Sequence, residues 1–235
     1  MGTGPRYNLP ACRRAADITY QAFRIIPRYI VAGMSERQLA WRLGRVLANS
    51  GSQQRAFSVI AAFGSSAAEP HHVPTNRCLR RGDMIKLDAG AVYQQMRGDV
   101  TRTYFFGSSP SSKFRQRYQA VLQAQQLAFT YYRAGNNGQQ IDAIARQYLK
   151  QRKFHHLFIH SLGHGVGRAI HQPPFLTPRS KGRRLLQVGD IVTNEPGVYE
   201  PGWGGVRIED MVEITAGLPR WLGQAPRQLR QITLG

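Results

Sequence analysis

Four carboxylates, those of Asp88, Asp99, Glu195 and Glu209, lie in two segments of similar sequence. The chain of 235 residues has 13 Asp and Glu against 32 Lys and Arg, and a His-rich stretch at 155–171 separates the two acidic segments. Acids grouped beside histidines in so basic a chain are more typical of a metal site than of a solvated face.

The two segments, 82–90 and 189–197, follow one pattern. Each has Gly-Asp, two apolar residues, two variable residues, an acid, one further residue and Gly. A second acid borders a strand-like run in each case, because Asp99 precedes 100–105 and Glu209 follows 206–208. This pattern predicts an internal duplication with one acid pair in each half.

The residue types indicate which ions would bind. Carboxylate oxygens suit hard divalent cations, and a His nitrogen in the set favours Mn, Fe, Co or Zn over Ca or Mg. Four carboxylates and one His can hold two ions about 3.5–4 Å apart, because a carboxylate can bridge with both oxygens. Glycines around His164 let the backbone approach a crowded site, and His160 and His171 can line the same site.

Composition limits the remaining classes. Hydrophobic residues make up 42% of the chain, which is enough for a packed core, and no apolar run is long enough to span a bilayer. Residues 1–6 lack the apolar core of a signal peptide, and the two cysteines, Cys12 and Cys78, do not form a disulfide framework or a metal-ligand spacing. We therefore expect a cytoplasmic protein without a membrane partner.

The formal charge of +19 admits nucleic acid as a partner. The Lys and Arg residues are spread along the whole chain, however, in pairs such as Arg13-Arg14 and Arg183-Arg184. A general basic bias in composition explains this distribution about as well as binding does.

Periodicity predicts two helix-helix-sheet halves. In the first half we expect a helix over 10–32 that Pro27 kinks or ends, and a second helix that a Ser35–Gln38 capping box begins and Asn49-Ser50-Gly51 ends. Strands follow at 57–63, 83–88, 91–96 and 100–106. In the second half we expect helices over 115–133 and around 141–149, then strands at 157–161, 191–195, 207–214 and near 228–233. The order predicts an α+β fold with a curved, mostly antiparallel sheet, outer helices, and the acids of both halves meeting at the centre.

Seven short motifs carry a resemblance to a known family. The motifs are Pro70-His71, Gly82-Asp83, Leu87-Asp88-Ala89-Gly90, 98–103 (GDVTRT), 160–164 (HSLGH), 194–199 (NEPGVY) and 205–210 (GVRIED). In this order they resemble the dinuclear metallopeptidases of the pita-bread (creatinase/aminopeptidase-like) fold, family M24, which includes aminopeptidase P, prolidase and methionine aminopeptidase. The resemblance implies one catalytic metallopeptidase domain over residues 1–235, with halves at roughly 1–110 and 111–235, and no N-terminal accessory domain.

The resemblance also implies a ligand set for two divalent ions, which would be Mn, Co, Zn or Fe, with Mn or Co favoured. Asp88 would bind one ion, His164 and Glu195 the other, and Asp99 and Glu209 would bridge both. A metal-bridging hydroxide would attack the scissile carbonyl, because bound metal lowers the pKa of water to about 7. Glu195, or in an alternative assignment Glu209, would handle the proton.

The same resemblance assigns further roles. His71, His160 and His171 match the histidines that hold substrate or stabilise the tetrahedral intermediate. The neighbouring His72 competes with His71, but the 17-residue separation from Asp88 favours His71. Tyr199 and Arg207 match positions that support the site through hydrogen bonds, although ordinary packing would also explain them.

Three features favour the proline-directed branch of the family. His160 lies four residues before His164, residues 195–199 read Glu-Pro-Gly-Val-Tyr, and Asp210 follows Glu209. The implied activity is hydrolysis of short peptides at Xaa-Pro bonds. The resemblance is also compatible with a homo-oligomeric protein. Gln172, where an acid is common, and 94–97 depart from the pattern without removing a ligand.

Three alternatives remain open from the sequence. A methionine aminopeptidase-like enzyme is disfavoured by the three features above. A non-catalytic pita-bread protein that binds nucleic acid would suit the charge, but it has no need for facing carboxylates without cations. A creatinase-like hydrolase would not need the metal ligands.

Overall fold

The computed structural model describes residues 8–235, so the expectation about a signal peptide at 1–6 lies outside the described residues. Two halves follow one another, each with a pair of helices before the main strands. Their helices are α1 (Leu9–Ile25), α2 (Glu36–Asn49), α3 (Ser112–Phe129) and α4 (Gly138–Gln151), and a short α5 (Leu229–Ile232) lies near the C-terminus.

Helix ends in the first half agree with the sequence signals. The Asn8 side chain caps α1 by accepting a hydrogen bond from the Ala11 amide. A 3₁₀ turn at Ile26–Tyr29 replaces the α-helix around Pro27, as predicted, because proline cannot donate the next helical hydrogen bond. The predicted capping box of Ser35 and Gln38 is formed at the start of α2.

The first half builds a four-stranded sheet. Its strands β1 (Ile60–Phe63), β2 (Met84–Ala89) and β5 (Val100–Phe106) pair antiparallel in this order, and the C-terminal β13 (Thr233–Leu234) adds in parallel to β5. A separate hairpin of β3 (Val92–Tyr93) and β4 (Met96–Arg97) lies between β2 and β5 in the chain.

The second half builds a five-stranded antiparallel sheet and a hairpin. The sheet has the order β12-β11-β8-β6-β7, with strands β6 (Gly163–Gly165), β7 (Gln172–Leu176), β8 (Ile191–Asn194), β11 (Asp210–Glu213) and β12 (Arg220–Trp221). The hairpin pairs β9 (Gly197–Glu200) with β10 (Gly204–Arg207).

The duplicated motifs occupy equivalent strand pairs. β2 pairs antiparallel with β5, and β8 pairs antiparallel with β11. Asp88 lies opposite Thr101 in the first pair, and Asn194 lies opposite Asp210 in the second. The predicted α+β fold of two related helix-helix-sheet halves is confirmed.

A buried ion pair joins the two halves. The Arg102 guanidinium of β5 donates to Asp210 of β11 at 2.5 Å, and both side chains are fully buried. Arg102 also donates to the Glu209 carbonyl at 2.6 Å, and Gln125 of α3 donates to the other Asp210 oxygen at 3.0 Å. This network fixes β5 against the segment that carries Glu209.

Several predicted strands were wrong, each for a local reason. The strand at 91–96 is the β3–β4 hairpin, since Gln94 and Gln95 form its turn with φ of 45° and 66°. Residues 157–161 form no strand; the carbonyls of Phe158 and His160 accept hydrogen bonds from Arg146 of α4.

Two further strand predictions need correction. Residues 207–214 belong to two strands, because β10 ends at Arg207 and β11 begins at Asp210, so that the chain passes from one sheet to the other at Ile208 and Glu209. The segment near 228–233 is mainly the short helix α5, which a Gln228–Gln231 capping box begins. The strands β6, β7, β9 and β12 were not predicted.

Within residues 8–235, every helix is too short or too polar to cross a bilayer.

Candidate metal centre

A cavity of about 550 Å³ opens where the two halves meet. It is lined by nine of the residues that the sequence singles out: His71, Asp88, Asp99, His160, His164, His171, Glu195, Arg207 and Glu209. The tenth, Tyr199, is buried behind the wall and contacts two of them.

Three donor atoms at the base of the cavity converge on one point. Ligand atoms of Asp99, His164 and Glu209 all lie within 4.8 Å of one another. His164 Nε2 is 3.8 Å from Asp99 Oδ2 and 3.2 Å from Glu195 Oε1. The His164 nitrogen therefore faces two carboxylates. This arrangement is typical of a histidine that binds the same metal ion as neighbouring acids.

The donors come from both halves and from strand ends. Asp88 is near the end of β2 and Asp99 directly precedes β5, whereas Glu195 directly follows β8. His164 is in β6, and Glu209 lies at the crossing between β10 and β11. The duplication therefore brings one acid pair from each half to the same cavity.

The electrostatics of this cluster are unfavourable without a cation. Burial raises the pKa of Asp99 well above its ordinary value, and the neighbouring carboxylates, foremost Glu209, raise it further. Burial and the charges of Glu195 and Asp88 raise the pKa of Glu209 in the same way. Burial also raises the pKa of Asp88, although the Arg207 charge opposes this. Divalent cations would favour the ionised forms, because ligands lose their protons when metal binds.

Glu195 differs from the other three acids. Burial raises its pKa, but the hydrogen bond with His164 and the charges of His164, His160 and Arg207 outweigh this and lower the pKa to about 2. Its carboxylate is thus ionised throughout the neutral range. It also accepts a hydrogen bond from the Thr193 hydroxyl at 3.1 Å.

An unpaired oxygen supports the fit to a metal. Asp88 Oδ2 accepts from Arg207 Nη2, whereas the buried Oδ1 has no hydrogen-bond partner in the part of the chain that the structure describes. A buried carboxylate oxygen without a donor is costly unless a cation or water binds it. The donor set of four carboxylates and one imidazole fits divalent transition-metal ions.

Arg207 binds the Asp88 carboxylate, and Tyr199 contacts Arg207 and His160. Besides Asp88, the buried Arg207 guanidinium donates to the Thr101 hydroxyl at 2.9 Å, to the Tyr199 hydroxyl at 3.0 Å and to the Pro70 carbonyl at 3.2 Å. The pKa of Arg207 is raised well above its usual range: burial opposes this shift, but the charges around it prevail. Arg207 therefore remains a cation that balances part of the negative charge.

His160 has both ring nitrogens engaged. Its Nδ1 donates to the Ser161 carbonyl at 2.8 Å, and its Nε2 is 2.8 Å from the Tyr199 hydroxyl. Burial lowers the pKa of His160 to about 4, so the ring is neutral at pH 7 and Nε2 accepts from Tyr199. In this geometry His160 supports Tyr199 and offers no free nitrogen to the cavity.

His71 and His72 are in different situations. His72 Nε2 lies 2.8 Å from the buried Glu36 carboxylate and its Nδ1 lies 2.9 Å from Glu69. The exposed His71 has no hydrogen bond among residues 8–235 and lines the cavity. This arrangement supports the choice of His71 as the residue that can contact a ligand. His171 is also exposed at the wall, with its ring centroid 4.3 Å from that of His164.

Sequence reasoning missed three supporting residues. The Thr101 hydroxyl donates to Glu209 at 2.6 Å. The Thr193 hydroxyl donates to Glu195 and accepts from the His164 amide. The fully buried Lys86 donates to the carbonyls of the loop before His71, namely those of Ala67, Glu69 and Pro70. Each missed residue is two positions from an acid, on the same strand face, a spacing that could have revealed them.

Comparison with known proteins decides the family. The model of metallopeptidase family M24 matches residues 10–216, which is most of the chain. The chain belongs to metallopeptidase family M24. The predicted family membership and pita-bread fold are thereby confirmed.

Similar members of the M24 family include an Xaa-Pro dipeptidase of Pyrococcus furiosus, which is 37% identical over 216 residues, 92% of this chain and 61% of the relative. Among solved structures, the Xaa-Pro dipeptidase from Bacillus anthracis superposes with a TM-score of 0.92 at 36% identity, covering 96% of this chain and 62% of the other. The X-Pro aminopeptidase from Thermotoga maritima gives 0.90 at 32% identity, covering 94% and 62%. This M24 chain thus spans about three fifths of the length of these relatives.

Proposed function

We propose that this chain is a dinuclear metallopeptidase that hydrolyses short peptides at Xaa-Pro bonds. The observation that carries the proposal is the grouping of ligand atoms of Asp99, His164 and Glu209 within 4.8 Å of one another, in a cavity that Asp88 and Glu195 also line. We treat the halves, roughly 1–110 and 111–235, as one catalytic unit because neither half holds the full ligand set.

The proposed ligands are those inferred from the sequence. Asp88 would bind one ion, His164 and Glu195 the other, and Asp99 and Glu209 would bridge them. When bound, two such ions activate water and polarise the scissile carbonyl. We favour Mn or Co among Mn, Co, Zn and Fe.

The chain's own groups would orient the substrate and move the proton. Glu195 would handle the proton of the attacking water, because its carboxylate is ionised and lies 3.2 Å from the proposed ligand nitrogen of His164. His71 and His171 are exposed at the wall and can donate to the substrate. His160 would act through Tyr199, which it contacts at 2.8 Å.

Specificity for proline is supported by the relatives, two of which are named Xaa-Pro dipeptidases and one an X-Pro aminopeptidase. The cavity also has apolar wall residues that could contact a pyrrolidine ring, among them Phe57, Ile170 and Phe175. A cytoplasmic location and a homo-oligomeric state stay predictions.

The decisive experiment measures hydrolysis of Xaa-Pro, Xaa-Pro-Yaa and Met-Ala peptides by chelated protein before and after Mn, Co, Zn or Fe is added. We expect metal-dependent cleavage of the proline peptides, and loss of most activity in Glu209→Gln. The matched control is Glu69→Gln, which alters a largely exposed acid outside the donor set.

Two results would replace the proposal. Preferential cleavage of Met-Ala would indicate a methionine aminopeptidase-like enzyme. No metal-dependent cleavage, together with nucleic-acid binding that weakens steeply with salt, would indicate a binding protein.

A further inference from the structure

His71 lies in a loop at the cavity wall, and its ring has no hydrogen bond among residues 8–235. The position of the ring therefore depends on how the backbone on either side of it is held. After His71, the loop is fixed by His72, whose Nε2 lies 2.8 Å from the buried Glu36 carboxylate. Before His71, a different side chain holds the backbone of residues 67–70.

This side chain is Lys86 of β2, which is fully buried. Its Nζ donates to the carbonyls of Ala67 at 3.1 Å and Pro70 at 3.3 Å, and also to the Glu69 carbonyl. Lys86 projects to the same face of β2 as Asp88, because the two residues are two positions apart in the strand. One buried amino group thus ties the segment 67–70 to the strand that carries a proposed metal ligand.

The hydrogen bonds of Lys86 do not depend on its charge. A lysine amino group has three N–H donors when protonated and two when neutral, so at least two of the three carbonyls have a donor in either state. Burying such a group costs free energy, and an apolar side chain of similar length would fill the same space without that cost. All three hydrogen bonds of Nζ among residues 8–235 go to the segment 67–70, so this segment is what the buried amino group serves.

A second contact connects the same segment to the metal centre. The Pro70 carbonyl also accepts from Arg207 Nη1 at 3.2 Å, and the other terminal nitrogen of Arg207 donates to Asp88. The residue directly before His71 is thus held by two buried side chains, Lys86 and Arg207. A shift of this segment would move the His71 ring relative to the proposed ligand Asp88.

We infer that Lys86 is a positioning residue, which holds the backbone before His71 so that the His71 ring can donate to the peptide substrate. This inference rests on the proposed function and deepens it. Lys86 itself contacts neither substrate nor metal in this account and acts through the loop alone.

The test is a double-mutant cycle of wild type, Lys86→Met, His71→Ala and the double variant, with kcat/KM measured on Ala-Pro at saturating Mn. We expect Lys86→Met to lose about tenfold in the wild-type background, the size of one hydrogen bond to the substrate. In the His71→Ala background the same change should cost less than about twofold, because residues that act through one another are not additive. A similar loss in both backgrounds would overturn the inference.

Two control variants separate positioning from general damage. Lys150→Met makes the same substitution at an exposed lysine near the end of α4 and should leave kcat/KM unchanged. Leu149→Ala creates a cavity at a buried position of the same helix and should lower stability without lowering kcat/KM of the folded protein. A loss of kcat/KM in Leu149→Ala equal to that in Lys86→Met would overturn the inference.

Metal affinity distinguishes an effect on the loop from an effect on Asp88. Calorimetric titration of chelated Lys86→Met with Mn should show an affinity no lower than that of wild type. A fall in Mn affinity that accounts for the loss of kcat/KM would show that Lys86 acts through the metal ligand, and it would overturn the inference.

Hydrogen exchange measured by mass spectrometry separates this inference from the proposed function. We expect the amides of residues 67–73 to exchange faster in Lys86→Met than in wild type and Lys150→Met. If no Xaa-Pro peptide is cleaved, the proposed function fails, whereas the exchange rates still show whether Lys86 holds the loop. Unchanged exchange would overturn the inference even in an active enzyme.

Lys86→Gln keeps the inference testable if Lys86→Met does not fold. The glutamine retains two N–H donors in the same place. We expect it to lose less activity than Lys86→Met, and to lose none when His71 is already replaced by Ala. A loss in Lys86→Gln that persists in the His71→Ala background would overturn the inference.

Discussion

The Thr101 hydroxyl donates a 2.6 Å hydrogen bond to Glu209 Oε2. Thr101 belongs to β5 of the first half, and Glu209 lies at the crossing between β10 and β11 of the second. The same hydroxyl accepts from Arg207 Nε at 2.9 Å, so its proton must point towards Glu209. One side chain thus fixes the orientation of a proposed bridging carboxylate across the two halves.

Thr101→Val keeps the shape of the side chain and removes this bond. We expect metal affinity to fall by about tenfold to a hundredfold, because groups that orient metal ligands have effects of this size. Calorimetric titration of chelated protein with Mn measures it. Thr101→Ser is the control, since it retains the hydroxyl; affinity that is unchanged in Thr101→Val would show that Glu209 does not need this bond.

The meeting of the four acids and His164 at one cavity could be predicted from sequence because it depends on short motifs. Asp88 and Glu195 occupy equivalent places in the duplicated segments, and the antiparallel strand pairs bring Asp99 and Glu209 back beside them. A duplication that preserves strand pairing also preserves where its acids meet. The helices were predictable for a similar reason, since capping residues and apolar spacing are local signals.

The remaining elements depend on distant contacts. Residues 157–161 contain apolar residues typical of a strand, but Arg146 of α4 binds the carbonyls that a neighbouring strand would otherwise bind. The breaks at Ile208 and Glu209 follow from the change of sheet between β10 and β11, which no local pattern encodes. The engaged state of His160 likewise depends on Tyr199, 39 positions away.

Metal removal should lower the thermal stability of the chain. Without cations, Asp88, Asp99 and Glu209 place like charges together in a buried site, and bound ions stabilise the folded state by mass action. We expect the Tm of chelated protein to rise when Mn or Co is added. Differential scanning calorimetry at several metal concentrations measures the change.

Asp99→Asn provides the matched test of this charge argument. The substitution should abolish the metal-dependent rise in Tm while making the chelated protein as stable as the chelated wild type or more stable, because one repelling charge is gone. A variant that still gains stability from metal would contradict the role of Asp99 as a ligand.

Glu36 should make stability depend on pH. Burial raises its pKa, but hydrogen bonds from His72, Thr75 and the Phe63 amide outweigh this and lower it below the ordinary value. A lowered folded-state pKa adds stability that is present above the unfolded pKa of about 4.3 and is lost as pH falls through the folded value. Urea unfolding of wild type and Glu36→Gln should therefore differ at pH 7 and converge towards pH 3.

The size of this difference follows from the partners of Glu36. Both Glu36 carboxylate oxygens accept hydrogen bonds, one from the Phe63 amide and the other from the Thr75 amide and hydroxyl. In Glu36→Gln one oxygen becomes an NH₂ group, which cannot accept these bonds and places two donors against each other. We expect a loss of about 1–3 kcal/mol at pH 7. Glu69→Gln, at an exposed acid that contacts the same His72, should cost much less; equal losses in the two variants would contradict this account.

The buried pair of Arg102 and Asp210 should be the most sensitive point of the contact between the halves. Asp210→Asn leaves the fully buried guanidinium without its counter-charge, and breaking such a pair costs about 3–5 kcal/mol. Urea unfolding measures the loss.

Because Arg102 also donates to the Glu209 carbonyl, Asp210→Asn should also weaken metal binding by the protein that remains folded. Asp17→Asn, at an exposed acid paired with Arg14, is the control and should have little effect on either quantity. Undiminished stability of Asp210→Asn would mean that packing alone holds the halves together.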